Sequence, residues 1–324
     1  MNIGILGAGR IAATMAETIN GMDDSVRLLA IGARDAERAA AFASRWNCSR
    51  SYGSYEELAS DPDVDLIYIA TPHSHHFEHA KLCVGHGKAV LVEKSFTANA
   101  KQAAELLRFA EEKGVLVTEA IWTRYMPSRR MINDLIGSGV IGEVTSLQAN
   151  LGYPILHKER MVKPELAGGA LLDLGVYPIN FALMCFGDRI SRVEAGCTKL
   201  ETGVDAQDSI TLYFEDGKAA FLYASMLALS DREGVINGTD GYIEVQNINN
   251  PEEIRVFNKN RECIRTVPVP EQVTGYEYEV LACRDALADG RLECPEMPHA
   301  ETIRVMELMD GIRADFGVKF PFED

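Results

Sequence analysis

Near the start of the chain an apolar run breaks into a glycine-rich turn, and that junction leaves few folds open. Asn2-Ile3-Gly4-Ile5-Leu6 reads as a buried strand, Gly7-Ala8-Gly9-Arg10-Ile11-Ala12 matches G-x-G-x-x-A, and an amphipathic helical pattern covers 11–20. Alone the motif is weak; between a strand and a helix it has the context its chemistry needs. Gly7 permits a tight turn, Gly9 lets backbone approach a pyrophosphate, and Ala12 allows close helix–sheet packing. The helix N-terminus at Arg10 and Ile11 offers free N–H groups and a positive dipole end to phosphates. The alternative is a glycine-rich strand–helix turn that holds no ligand.

The rest of the first 120 residues repeats the strand–helix alternation. Strand patterns fall at Arg27–Gly32, 66–70, 89–92 and 115–119, with helical patterns at Ala36–Trp46, 74–84 and Ala100–Lys113. Such alternation predicts a parallel sheet with crossover helices. Ser54-Tyr55-Glu56-Glu57 reads as a capping box, and Gly114 as a helix stop. Beyond residue 120 the pattern changes. A helix at 127–136 is followed by strand-like runs at 144–151, 192–197, 209–214, 219–226, 242–246 and 264–267, with helices at 170–186, 276–288 and 300–316. Strands in succession favour an antiparallel sheet. The expected fold is α/β plus α+β: a Rossmann domain over 1–120, then a domain over 121–324 on an open, mainly antiparallel sheet. The length of 324 residues, at roughly 150 per domain, agrees.

Charge narrows the partners. Lysine plus arginine number 32 against 48 aspartates and glutamates, a formal net charge of −16. A chain this acidic repels a phosphate backbone or an anionic membrane, and no basic run overrides the field, so neither nucleic acid nor membrane is expected as a partner. No signal-peptide pattern follows Met1, and no uninterrupted apolar stretch approaches 18 residues. The seven cysteines form no Cys-x-x-Cys pair, which reads as reduced thiols in a cytoplasmic protein.

The end of the second strand, Ile31-Gly32-Ala33-Arg34-Asp35, selects the nucleotide. NAD sites usually place an acid there for the ribose hydroxyls. Here Ala33 is small and Arg34 suits a 2′-phosphate, which points to NADP. Asp35 is the competing reading: it either takes the ribose hydroxyls, allowing NAD, or caps the helix from Ala36.

Val90-Leu91-Val92-Glu93-Lys94-Ser95 places a lysine just past a buried parallel strand, where open α/β sheets bind ligands. Partly desolvated beside a cationic nicotinamide, it would have a lowered pKa and could pass a proton during hydride transfer. The alternative is a surface lysine paired with Glu93.

Together with Gly7-Ala8-Gly9-Arg10-Ile11-Ala12, the stretches Thr71-Pro72-His73-Ser74-His75-His76, Glu93-Lys94 and Gly168-Gly169-Ala170-Leu171-Leu172-Asp173-Leu174-Gly175 carry a resemblance. Over essentially its whole length the chain resembles the glucose–fructose oxidoreductase/inositol dehydrogenase (Gfo/Idh/MocA) family. Glu119-Ala120-Ile121-Trp122-Thr123-Arg124-Tyr125, Tyr177 and Glu201-Thr202-Gly203-Val204-Asp205 resemble its dimeric dihydrodiol dehydrogenase and xylose dehydrogenase branch. The resemblance implies an NAD(P)-dependent oxidoreductase acting on a hydroxyl-bearing carbon of a sugar or cyclic trans-diol. It implies that Lys94 handles the proton, that Asp173 and Tyr177 lie on the substrate-binding helix, and that Thr71, Pro72, His73, His76 and Glu93 border the cofactor. Asp173 and Tyr177 are four apart, a spacing that puts them on one helical face. Where the family usually reads Glu-Lys-Pro, with a bond that is often cis, the third residue here is Ser95. The loop is then either trans and shifted, or cis and held by its surroundings.

Trp122 and Arg124 are read as cofactor or substrate contacts, with packing between domains as the alternative. Arg160 and Lys163 are read as solvated, with a substrate contact as the alternative. His75 and His79 have a zinc-binding spacing but no evident further ligand, so no metal site is expected. Residues 219–226 carry apolar side chains on both faces of a strand, which predicts a homodimer or higher homo-oligomer. The rival from another class is a catalytically inactive NADP-binding regulator of the same fold. Retention of Lys94, Asp173 and Tyr177 argues against it.

Overall fold

The computed structural model describes residues 1–323, which divide into two compact units. The first holds residues 1–125 and 272–306, the second 126–271 and the described residues from 307 on. In the first, β1 (Asn2–Leu6), α1 (Arg10–Gly21), β2 (Arg27–Gly32), α2 (Ala36–Trp46), β3 (Arg50–Tyr52), α3 (Tyr55–Ala59), β4 (Leu66–Ile69), α4 (His73–Gly85), β5 (Ala89–Glu93), α5 (Ala100–Lys113) and β6 (Val117–Ala120) follow in order. The strands make one parallel sheet, β3-β2-β1-β4-β5-β6. Every residue of β4, β5 and β6 is buried, as a parallel sheet covered on both faces requires. The strand order reverses between β1 and β4, and ligands of open sheets bind outside the carboxyl ends of strands at such a point.

Residues 272–306 return to this unit, although the sequence reading assigned everything after 120 to the other domain. The physical reason is the bare edge of β6. Val117 donates its N–H to Leu292 O (3.2 Å), and His299 Nε2 bonds Val117 O (2.8 Å). The returning segment thus satisfies edge groups that an exposed strand would leave open.

The second unit contains α6 (Pro127–Gly137), β7 (Val144–Gly152), the single turn α7 (Glu159–Val162), α8 (Val176–Phe186), β8 (Ile190–Lys199), β9 (Asp205–Phe214), β10 (Ala219–Ser225), β11 (Gly234–Gly238), β12 (Gly241–Val245), β13 (Glu253–Asn258) and β14 (Cys263–Pro268). The last two helices of the chain are α9 (Glu277–Ala288) in the first unit and α10 (His299–Phe316), which is divided between the two. The eight strands form one sheet, β14-β13-β12-β11-β7-β10-β9-β8, antiparallel except for the β7–β10 pair. α8 and the π-turn Leu171–Gly175 before it lie on β7 and β10, and that turn also meets β9. The segment Pro164–Phe186 is apolar and long enough to cross a membrane, but 83% of its most apolar window is buried, as a core helix would be.

Strands β3, β11 and β13 were not foreseen. β3 is three residues long, β11 (Gly-Val-Ile-Asn-Gly) begins and ends in glycine, and β13 carries Glu253 and Arg255 on its outward parity.

The capping box is present: Ser54 Oγ accepts from Glu57 N and Glu57 Oε2 from Ser54 N, both at 3.2 Å. Ser54→Ala should lower stability by about 1 kcal/mol in urea unfolding, the usual cost of losing such a cap. An unchanged midpoint would mean that water replaces it.

Candidate active site

Gly7 closes β1 with φ +104°, and a Cβ there would stand 2.9 Å from Ala70 O. Only glycine fits. At Gly9 an added Cβ would meet nothing nearer than Ala70 O at 3.8 Å, so the protein itself leaves that position open. Gly9 is the N-cap of α1, with no side-chain cap and no acid in the first turn. These free N–H groups and the open backbone fit the pyrophosphate of a dinucleotide. Arg10 is exposed beside them and Ile11 half-buried.

At the end of β2, Ala33 is buried and Arg34 exposed. Asp35 caps α2, its Oδ1 accepting from Arg38 N at 3.0 Å. Of the two sequence readings for Asp35, the helix cap is the one observed. A cation the sequence reading missed stands close by: Arg38 donates from Nη2 to Ala8 O (2.9 Å), inside the glycine loop. It stands in the first turn of α2, three residues past the cap at Asp35, and that place in a helix whose start was legible is the signal that could have found it. Arg34 also bears on His75 and His79, lowering both alongside their burial.

Thr71 and Pro72 lead from β4 into α4, where Pro72 is the N-cap and His73 is buried. Thr71 Oγ1 lies 3.0 Å from His79 Nδ1, and the His75 and His79 rings stack at 5.6 Å. Among the described residues no group of three or more His, Cys, Asp or Glu side chains is arranged to hold a metal ion. His76 is fully buried between two carbonyls, Nδ1 at 2.8 Å from Ser95 O and Nε2 at 2.8 Å from Thr71 O. Those carbonyls favour a charged ring. Burial, helped by the Lys94 charge, outweighs them and pushes His76 down to about 4.

Lys94 follows β5, and the Lys94–Ser95 peptide bond is cis, one of the two arrangements left open by the sequence. The Glu93 carboxylate, nearly buried, accepts from the Lys94 backbone N–H (3.1 Å) and from the Tyr68 hydroxyl. Behind it, Glu279 is fully buried and held well above the usual carboxylate range, by burial first and then by the Glu93 charge. Glu119 accepts from Phe96 N (3.0 Å) and is raised to about 7 by burial.

Two further residues of the sequence reading are buried. Trp122 is buried and stacks on Tyr276, 4.1 Å between centroids and 11° between planes. Arg124 is only 3% exposed, and its Nη2 donates to Glu301 Oε2 at 2.9 Å. The sequence reading had offered both to cofactor or substrate, with packing as the alternative. The contacts to Tyr276 and Glu301 are made by the segment that returns to cover β6.

In the second unit, Asp173 sits in the π-turn and Tyr177 at the start of α8, both nearly buried. Arg160, read as solvated, is instead forked onto Asp173: Nη1 to Oδ1 at 2.8 Å and Nη2 to Oδ2 at 3.3 Å. The loop is held by Gly168, where a Cβ would stand 2.6 Å from Met161 O and 2.9 Å from both Arg160 O and Lys163 O. Lys163 is half-exposed and pairs with Glu159.

The model of the oxidoreductase family with an NAD-binding Rossmann fold, GFO_IDH_MocA, matches residues 1–121, and that of the GFO/IDH/MocA C-terminal domain matches 130–244. The chain belongs to the Gfo/Idh/MocA oxidoreductase family. It is similar to trans-1,2-dihydrobenzene-1,2-diol dehydrogenase of Mus musculus, 34% identical over 98% of this chain and 97% of that one. The protein of the same name from Xenopus tropicalis is 36% identical, covering 98% of each. Among solved structures, KijD10, a 3-ketoreductase from Actinomadura kijaniata in complex with NADP and TDP-benzene, is 25% identical with a TM-score of 0.86, covering 97% of both chains. Levoglucosan dehydrogenase in complex with NADH and levoglucosan superposes with a TM-score of 0.87 at 20% identity over 99% of each chain, a likeness of fold.

His76 and His79 both lie at about 4 when folded, against 6.5 when unfolded. A depressed histidine stabilises the fold above its unfolded pKa and loses that contribution as pH falls from 6.5 towards 4. The urea midpoint of the wild type should therefore drop between pH 7 and pH 5, and His76→Asn should drop less. Equal drops would show that His76 is not held neutral.

Proposed function

We propose that the protein is an NADP-dependent dehydrogenase moving a hydride between the nicotinamide and a hydroxyl-bearing carbon of a sugar or cyclic trans-diol. The observation that carries this reading is Lys94 at the carboxyl end of β5, in the sheet whose β1 ends in the glycine loop. Lys94 and Tyr177 handle the hydroxyl proton, and Asp173, oriented by Arg160, aligns the substrate. The cofactor, when bound, supplies the hydride acceptor or donor. The names of the relatives support the substrate class. The seven thiols, none in a disulfide, suit a cytoplasmic setting.

Turnover, followed at the nicotinamide absorbance on aldoses, inositols and trans-diols, tests this. Lys94→Met should lower kcat by about 10²–10⁴, the range for losing a general acid–base, and leave NADP affinity nearly intact. Tyr177→Phe should lower kcat while the fold survives. Near-normal turnover in Lys94→Met would remove Lys94 from the chemistry.

NADP is preferred because no acid stands free at the end of β2, where Asp35 is committed to its cap, and Arg34 is exposed with Arg38 close by. A charge-assisted hydrogen bond is worth about 1.5–3 kcal/mol, so Arg34→Ala should weaken NADP roughly tenfold or more. NAD should change much less. Equal weakening of both cofactors would exclude Arg34 as the reader of the 2′-phosphate.

The outward face of the large sheet carries Tyr213, Phe221, Tyr223, Tyr242 and Phe257, with Phe221 50% exposed. A second copy covering these rings makes a homodimer. Sedimentation at micromolar concentration should give twice the chain mass; a monomer would refute the assignment.

A further inference from the structure

Asp205 and Asp208 lie three apart on β9, a spacing that in a regular strand sends side chains to opposite faces. A bulge changes this: Lys199 of β8 opposes Asp205 while Thr198 opposes Gln207, so Ala206 is the extra residue. Both acids are thereby buried, Asp205 2% exposed and Asp208 fully enclosed. Asp205 Oδ2 accepts from Leu171 N at 2.5 Å, and Ala170 N–H also faces the carboxylate. Its Oδ1 fills the space of the missing Cβ at Gly169, which would stand 2.3 Å away on a backbone of φ +126°. The carboxylate thus caps the turn that carries Asp173 and leads directly into Tyr177.

We propose that Asp205, whose carboxylate caps the turn at Leu171, is a positioning residue that sets Asp173 and Tyr177 for the reaction. The proposal rests on the catalytic reading given above. Two adjacent buried carboxyls cannot both be ionised at little cost. Burial raises Asp205, but its N–H donors favour the charged form, whereas the oxygens of Asp208 make no hydrogen bond. Asp208 is pushed up to about 9 by its burial and then by Asp205. Cys197, opposite Asp208 on β8, is raised by burial and then by both acids, while Lys199, opposite Asp205, acts on it in the other direction. Ala224, opposite Asp208 on β10, brings no charge.

Asp205→Asn removes the charge without changing the shape. It should lower kcat at least tenfold, leave the Kd for NADP within twofold, and speed hydrogen exchange in the peptide spanning 168–176 at least tenfold. Asp208→Asn keeps the size of the side chain and leaves the Asp205 cap in place, so it should retain both kcat and exchange within about twofold. If Asp205→Asn does not fold, Asp205→Glu keeps the charge, displaces the carboxylate by one methylene and should move kcat and exchange the same way. Wild-type kcat and exchange in the Asp205 variants would overturn the proposal. So would an Asp208→Asn as impaired as Asp205→Asn, or a loss of NADP affinity in step with kcat, which marks general damage. The exchange readout needs no turnover. If the wild type reduces no cofactor on any substrate, the catalytic reading fails, while exchange still decides whether Asp205 holds the turn.

Discussion

A missing Cβ filled by an oxygen organises both halves of this molecule. At Gly7 the oxygen is the Ala70 carbonyl, and the close approach lets β1 turn into α1 at the point where the strand order reverses. At Gly168 it is a set of three carbonyls from the 160–163 loop, and at Gly169 the carboxylate of Asp205. Any side chain at these positions would push apart the segments that meet there. The first contact leaves the α1 N–H groups open to a phosphate. The second pair lays Arg160 over Asp173 and fastens the turn beneath it.

Buried acids form a second theme. Glu279, Asp208 and Glu119 are all raised, each by burial above any other cause. A formal charge of −16 therefore overstates what the folded chain carries at neutral pH, since acids kept protonated contribute nothing. Glu93 is held differently: it retains two donors, the Tyr68 hydroxyl and the Lys94 amide, in a place where an unpaired charge would be costly.

Periodicity made much of the fold legible. Apolar runs bounded by caps gave β1, β2, α2 and α5 their observed limits, because a strand buried on both faces and a capped amphipathic helix leave strong local signals. Where the signal lies in partner strands it was lost: β11 and β13 hold their place through neighbours, not through composition. The site was legible in the same uneven way. Gly7, Gly9 and Lys94 announce themselves by position after a strand. Arg160 on Asp173, Arg124 on Glu301 and the cap of Asp205 depend on residues far apart in sequence, and no spacing rule reaches them. Trp122 shows the converse, an aromatic whose neighbourhood suggested a ligand and whose observed partner is Tyr276.

The return of residues 272–306 to the first unit also has a consequence for biosynthesis. When the ribosome has made residues 1–125, the β6 edge still lacks Leu292 and His299, and Thr18 lacks its hydroxyl partner Thr274. At about 5–20 residues per second, the intervening stretch of roughly 150 residues takes on the order of 8–30 seconds to emerge. During that interval the nascent sheet has an edge strand whose Val117 backbone groups lack their final partners. The unit that begins the sequence is thus completed only after most of the other unit has been made.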